Sequence, residues 1–186
     1  MVYNKILIYR NTTMITHILV ATDGSPNAGR AVDLAIDLAS RYDSRLSVVY
    51  VVTSGKVSEN LRHMAEVEHI VGSGEKSSAP TAITFPSYLV SELGETGAKS
   101  RGILTKIGDY LVGKVEGNAR ISGVKNIKTY VKNGDAAEVV LEIAKNNDVD
   151  VIVTGNRGLG NLTSLLLGSV SYKISQLAEC TCINVK

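Results

Sequence analysis

Tryptophan is absent from the 186 residues and phenylalanine occurs once. Proteins that hold single-stranded nucleic acid without sequence preference stack bases on aromatic side chains, so this composition argues against such a platform. The charge argues the same way. Twenty Lys and Arg against 18 Asp and Glu leave a net charge of +2, which is no field for a polyanion. The two cysteines, Cys180 and Cys182, stand too close along the chain to staple distant elements. They read as small apolar residues in a reducing compartment. The histidines, His17, His63 and His69, form no zinc-ligand spacing with them, so no protein-held metal is expected. No run approaches the ~20 apolar residues that span a bilayer. Residues 1–13 lack the apolar core and small-residue cleavage site of a signal peptide. A cytoplasmic protein without nucleic-acid or membrane partners is expected.

The chain does contain a repeated alternation of short apolar runs and helical patterns. Residues 17–22 (HILVAT) form a continuous apolar run that stops at Asp23-Gly24-Ser25-Pro26, as a buried parallel strand does before a turn. Ser25 followed by Pro26 marks a helix start. Ala28, Ala31, Val32, Ala35, Leu38 and Ala39 then recur at helical spacing, and residues 46–52 (LSVVYVV) supply a second strand. The pattern resumes with a helix over 98–121, a strand over 127–131 and a helix over 136–145. A strand over 150–154, a helix over 168–178 and a last strand over 181–185 complete it. Strands alternating with helices imply an α/β domain whose parallel sheet is covered on both faces. Residues 53–97 break the rhythm, with a possible amphipathic helix at 59–71 and a Gly/Ser/Pro-rich loop at 72–82. The expected domain therefore spans 14–186 with an insertion at about 53–97. Residues 1–13 form an N-terminal extension, read either as upstream of a start at Met14 or as an added edge strand at 5–9.

One segment carries chemistry. The strand ending at Thr154 runs into Gly155-Asn156-Arg157-Gly158, and Gly168-Ser169-Val170-Ser171 opens the final helix. Glycines let backbone approach a ligand closely. The first-turn N–H groups of a helix lack intrahelical partners and carry partial positive charge, so an anion accepts from them directly. The segment is not a Walker A loop, because no Gly-Lys-Ser/Thr occurs. It is not the dinucleotide fingerprint either, because Thr163 stands where Gly158-x-Gly160 needs a third glycine. Read from spacing alone, it is either a phosphate cradle or a turn with Ser169 capping a helix.

The spacing Gly155-x2-Gly158-x9-Gly168-Ser169 is similar to the nucleotide-binding signature of the universal stress protein family. The opening HILVATDGSPNAGRAVDLAIDLA and the ending LLLGSVSYKISQLAEC resemble that family's first and last segments. The resemblance covers residues 16–52 and about 98–186. It implies a single doubly wound, Rossmann-like domain of the adenine nucleotide alpha hydrolase type, with a five-stranded parallel sheet of order 3-2-1-4-5. In such sheets ligands bind at the carboxyl ends where the order reverses, here between the first and fourth strands. Carried over by position, Asp23 contacts the nucleoside and Val51 offers backbone groups to adenine. Thr154, Gly155 and Gly158 lie against ribose and inner phosphates, Arg157 adds a cation, and Gly168, Ser169, Val170 and Ser171 hold the outer phosphates. The implied cofactor is ATP, with Mg2+ or another divalent ion bound through the phosphates. The implied assembly is a homodimer through the C-terminal edge strand. Three features depart from the family pattern: residues 53–97, which match no family segment, Thr154 where an apolar residue is common, and Thr181 where proline commonly follows the cysteine.

Three functions compete. The first is an ATP-binding regulatory protein of stress physiology, acting through nucleotide-dependent conformation or partner binding. The second is a nucleotide-independent dimeric interaction module. The third is an enzyme, such as a weak ATP hydrolase. Efficient phosphoryl transfer needs a positioned base and strong cationic stabilisation. Beyond Arg157 no such group stands near the motif, so no catalytic residue is assigned.

Overall fold

A computed structural model describes residues 15–53, 98–158 and 167–186. The readings for residues 5–9, 59–71 and 72–82, and the middle of the glycine-spaced segment, lie outside these. Five strands form one parallel sheet: β1 (His17–Ala21), β2 (Arg45–Val52), β3 (Ile127–Asn133), β4 (Val151–Gly155) and β5 (Thr181–Val185). Their order is β3-β2-β1-β4-β5, the order expected. Between them run α1 (Pro26–Tyr42), α2 (Ala98–Ile121), α3 (Ala136–Asn146) and α4 (Ser169–Leu177).

The three inner strands are apolar on both faces because both faces are covered. Ile18, Val20, Leu46, Val48, Tyr50, Val52, Val151 and Val153 pack with α1 and α2 on one side. The alternate residues Leu19, Val49 and Ile152 pack on the other side with Ala137, Val140 and Ile143 of α3 and Ile174 of α4. The period-2 alternation of a strand thus splits a continuous apolar run between two cores.

Local signals set the helix ends. Ser25 caps α1 with its hydroxyl oxygen, which accepts from Ala28 N–H at 3.2 Å, and Pro26 occupies the first turn. Asp43 ends α1 in the left-handed region at φ 51°. Asp135 caps α3 by accepting from Glu138 N–H at 3.0 Å. That hydrogen bond, with Lys173 beside it, holds the Asp135 carboxyl below its ordinary pKa.

Two boundaries differ from the sequence reading in an informative way. Strand β3 runs on through Lys132 and Asn133, which pair with Val51 and Val52. Their polar side chains suggest a strand end, but β3 is an edge strand and exposes them harmlessly. Helix α4 begins at Ser169 with Gly168 as its N-cap, and no side chain caps it. Ser169 therefore sits inside the first turn and is not the cap.

Candidate functional site

The order of the sheet reverses between β1 and β4, and the chain leaves these neighbours in opposite directions. A crevice opens at their carboxyl ends for that reason. On one side, Asp23 closes the turn after β1. Its Oδ1 accepts from Ser25 N–H at 2.9 Å, and Gly24 takes the left-handed φ of 82° that the turn requires. On the other side, the chain leaves β4 and crosses back toward Asp23. A Cβ placed on Gly158 would stand 2.3 Å from Asp23 Oδ2, so the Asp23 carboxylate keeps this position because residue 158 has no side chain.

The other two glycines are close approaches of a different kind. A Cβ at Gly155 would stand 2.8 Å from Ala28 N and from Asn27 C, so the end of β4 rests directly on the first turn of α1. A Cβ at Gly168 would stand 3.2 Å from Asn156 O. Gly168 N–H donates to that same carbonyl at 2.6 Å, and Ser171 Oγ donates to it at 3.1 Å. Tyr172 N–H makes the first bond of α4, to Gly168 O at 2.8 Å. Helix geometry therefore leaves the N–H groups of Ser169, Val170 and Ser171 without intrahelical acceptors, the arrangement that receives an anion.

The third wall is β2. Thr22 N–H donates to Val49 O at 3.0 Å, and Gly134 N–H donates to Val52 O at 3.2 Å. Backbone groups alternate sides along a strand, so Val51 turns its N–H and C=O toward the β1 side, beyond the last residue of β1. The Tyr50 phenol beside this wall is pushed up to about 12, first by burial and then by the charge of Asp23, so it remains a hydrogen-bond donor at all ordinary pH.

The sequence profile of the universal stress protein family matches residues 14–186. The chain belongs to the universal stress protein family. Universal stress protein YxiE of Bacillus subtilis is 30% identical over 174 residues, covering 93% of this chain and 100% of the relative. Universal stress protein UspA from Lactobacillus plantarum has the same fold, with a TM-score of 0.65 at 21% identity over 92% of this chain and 98% of that one. A universal stress protein in complex with cAMP superposes with a TM-score of 0.55 at 19% identity, covering 92% and 97% of the two chains. The Archaeoglobus fulgidus universal stress protein in complex with dAMP gives 0.55 at 17% identity, covering 93% and 99%.

Within this universal stress protein fold, the residues singled out from sequence fall along one carboxyl edge, but they do not all face the crevice alike. Asp23, Gly158 and the backbone of Val51 border it. Ser169 and Val170 are exposed at the start of α4. Arg157 follows β4 half-buried. Thr154 is buried, and its hydroxyl donates to Asn184 Oδ1 of β5 at 2.8 Å. Ser171 is buried too; its hydroxyl is turned inward onto the Asn156 and Gly168 carbonyls, at 3.1 and 3.0 Å. Gly155 is in contact with α1 through its missing Cβ.

Sequence reasoning missed the residues that hold these parts together. Asn156 is 8% exposed, its N–H donates to Val185 O at 2.6 Å, and its side chain accepts from Asn27 Nδ2 at 3.0 Å. Asn184 continues the chain by donating to Ser175 Oγ at 2.9 Å, and Ser175 Oγ donates to Ser171 O at 2.8 Å. Asparagine beside glycines ordinarily signals a turn. Only its burial, which obliges every polar atom to find a partner, marks it as a structural tie. Among the described residues, no three His, Cys, Asp or Glu side chains are grouped to hold a metal ion, and no helix is long and apolar enough to cross a membrane.

Proposed function

We propose that the crevice between β1 and β4 binds an adenine nucleotide, with ATP as the working ligand, and that binding changes the conformation or partners of the protein. The observation that carries this reading is the meeting of the Asp23 turn with the Gly158 backbone beside the first turn of α4. One side offers a carboxylate and the Val51 backbone to a nucleoside. The other offers the N–H groups of residues 169–171, the Ser169 hydroxyl and Arg157 to phosphates. Thr154, Gly155, Gly168 and Ser171 support that second side from beneath. The solved complexes with cAMP and dAMP on this fold support an adenine ligand. A divalent ion bound with the nucleotide would be held through its phosphate oxygens, which are hard ligands for such a cation.

In this reading residues 14–186 are the nucleotide-binding domain, 53–97 an inserted segment and 1–13 an extension. The domain works in the cytoplasm as a homodimer paired through the exposed edge of β5. Asp23 is assigned to the nucleoside and no catalytic residue is proposed, so any ATP hydrolysis is expected to be slow.

Gently purified protein is expected to release an adenine nucleotide on heating, identified by chromatography. Gly168→Val, which drives a side chain against Asn156 O, is expected to lose it while keeping its helical circular dichroism. Nucleotide-free wild type that also ignores added MgATP would overturn the reading. One observation favours the alternative of a nucleotide-independent dimeric module: Gly168 N–H and the Ser171 hydroxyl are already committed to protein carbonyls. A stable dimer, measured by sedimentation, in a protein that neither retains nor binds an adenine nucleotide would decide for that alternative.

A further inference from the structure

Two amides from distant parts of the chain meet at the floor of the crevice. Asn27 lies in the first turn of α1, just past the Asp23 turn; Asn156 is the first residue beyond β4. Asn27 Nδ2 donates to Asn156 Oδ1 at 3.0 Å. Arg30 Nη2 donates to Asn27 Oδ1, so the carbonyl end of that amide faces the guanidinium and its NH2 end faces Asn156. The main chain of Asn156 belongs to the opposite side. Its carbonyl accepts from Gly168 N–H at 2.6 Å and from Ser171 Oγ at 3.1 Å, and its N–H is held by Val185 O at 2.6 Å. One residue thus carries the N-terminus of α4 on its backbone and ties it to α1 through its side chain.

We infer that the Asn27–Asn156 pair is a clasp that sets the gap between Asp23 and the first turn of α4, which makes Asn156 a positioning residue for the phosphate-binding groups. The inference rests on the nucleotide reading above. Without the clasp, the loop after β4 stays anchored to β5 and α4 but loses its amide–amide hydrogen bond to the first turn of α1. Donors aimed at phosphates then drift relative to a nucleoside held on the Asp23 side, and small misplacements weaken such bonds steeply. The nucleoside contacts do not depend on the clasp, so ATP suffers and adenosine does not.

The test uses the full chain and four forms besides wild type: Asn27→Ala, Asn156→Ala, the double variant and Asn27→Asp. MgATP and adenosine affinities are measured by calorimetry, and exchange of the Gly168 amide by hydrogen–deuterium methods. Each alanine variant is expected to bind MgATP about fivefold more weakly, the worth of one hydrogen bond, with adenosine affinity unchanged. The double variant is expected to be no weaker than either single one, because the two residues act as a unit. Asn27→Asp keeps the clasp, since the Asn156 amide can turn its NH2 to the carboxylate; it is expected to retain wild-type exchange at Gly168, which both alanine variants accelerate. Unchanged MgATP affinity in the single variants, equal losses for ATP and adenosine, or additive losses would overturn the clasp and leave the nucleotide reading standing. A wild type that binds neither ligand overturns the nucleotide reading. The clasp is then decided by exchange alone: faster Gly168 exchange in Asn27→Ala supports it and unchanged exchange ends it. If Asn156→Ala does not fold, the two Asn27 variants carry the same comparison.

Discussion

The same chemical change, glycine to alanine, is expected to have opposite signs at Gly155 and Gly113. At Gly155 the added Cβ meets Ala28 N and Asn27 C at 2.8 Å and Arg157 O at 3.1 Å. Favourable non-bonded contacts to carbon lie near 3.5–4.0 Å, so the overlap is roughly 0.7 Å against two atoms at once. All three neighbours are backbone, so no side chain can rotate away, and β4 or the first turn of α1 has to move. Overfilling a packed site costs about 1–3 kcal/mol. The stiffer unfolded chain of an alanine variant returns about 0.4–1 kcal/mol. The net is a loss of about 1–2 kcal/mol, or roughly 2–8 °C in Tm for a domain of this size. At Gly113, inside α2, a Cβ meets nothing within 4 Å. Only helix propensity changes there, worth about 0.8–1 kcal/mol in favour of alanine, so Tm rises by roughly 2–4 °C. Thermal and urea unfolding followed by circular dichroism read both variants under identical conditions. A Gly155→Ala protein as stable as wild type would mean that β4 does not rest on the α1 backbone, and the geometry of the crevice floor would fall with it.

Ser25→Ala removes the α1 cap and is expected to cost about 1 kcal/mol, seen as a lower urea midpoint with an unchanged slope. Thr154→Val leaves Asn184 Oδ1 without its donor and is expected to lower stability by about 1 kcal/mol while MgATP affinity stays unchanged; a large loss of affinity would return the Thr154 hydroxyl to the ligand. His17 supplies a pH test at the far end of the sheet. It is 2% exposed, with Nδ1 2.8 Å from Arg45 Nη2 and Nε2 2.8 Å from Ser47 Oγ. Nδ1 also lies 2.9 Å from the Asn147 carbonyl, so it sits between a guanidinium that only donates and a carbonyl that only accepts. Burial lowers the His17 pKa from its ordinary 6.5; the Asn147 carbonyl opposes this and Arg45 reinforces it. The unfolded chain therefore takes up a proton near pH 6.5 that the native state refuses. The resulting stability is complete above that pH and declines as pH falls below it, toward the lower native pKa. Unfolding free energies between pH 7.5 and 5.5 are expected to lose this component in His17→Gln, and an unchanged slope would refute the neutral, buried imidazole.

Some of this protein is determined locally and is legible in the chain as written. The Ser25-Pro26 start, the Asp135 cap and the apolar runs of β1, β2 and β4 depend on neighbours a few residues away. Periodicity reports such neighbours directly. The glycine spacing from Gly155 to Gly168 is equally visible, and with the family resemblance it led to the strand order that the structure has. What each glycine is for was decided only in three dimensions. Gly155 accommodates α1, Gly158 accommodates Asp23, and Gly168 accommodates Asn156, partners that lie 127, 135 and 12 positions away. The inward turn of Ser171 and the tie between Asn27 and Asn156 belong to the same class. A hydroxyl or an amide carries no mark in sequence of which way it points. Its direction is imposed by the need to satisfy every buried polar atom, and burial exists only once the β1 and β4 ends of the chain have been brought together.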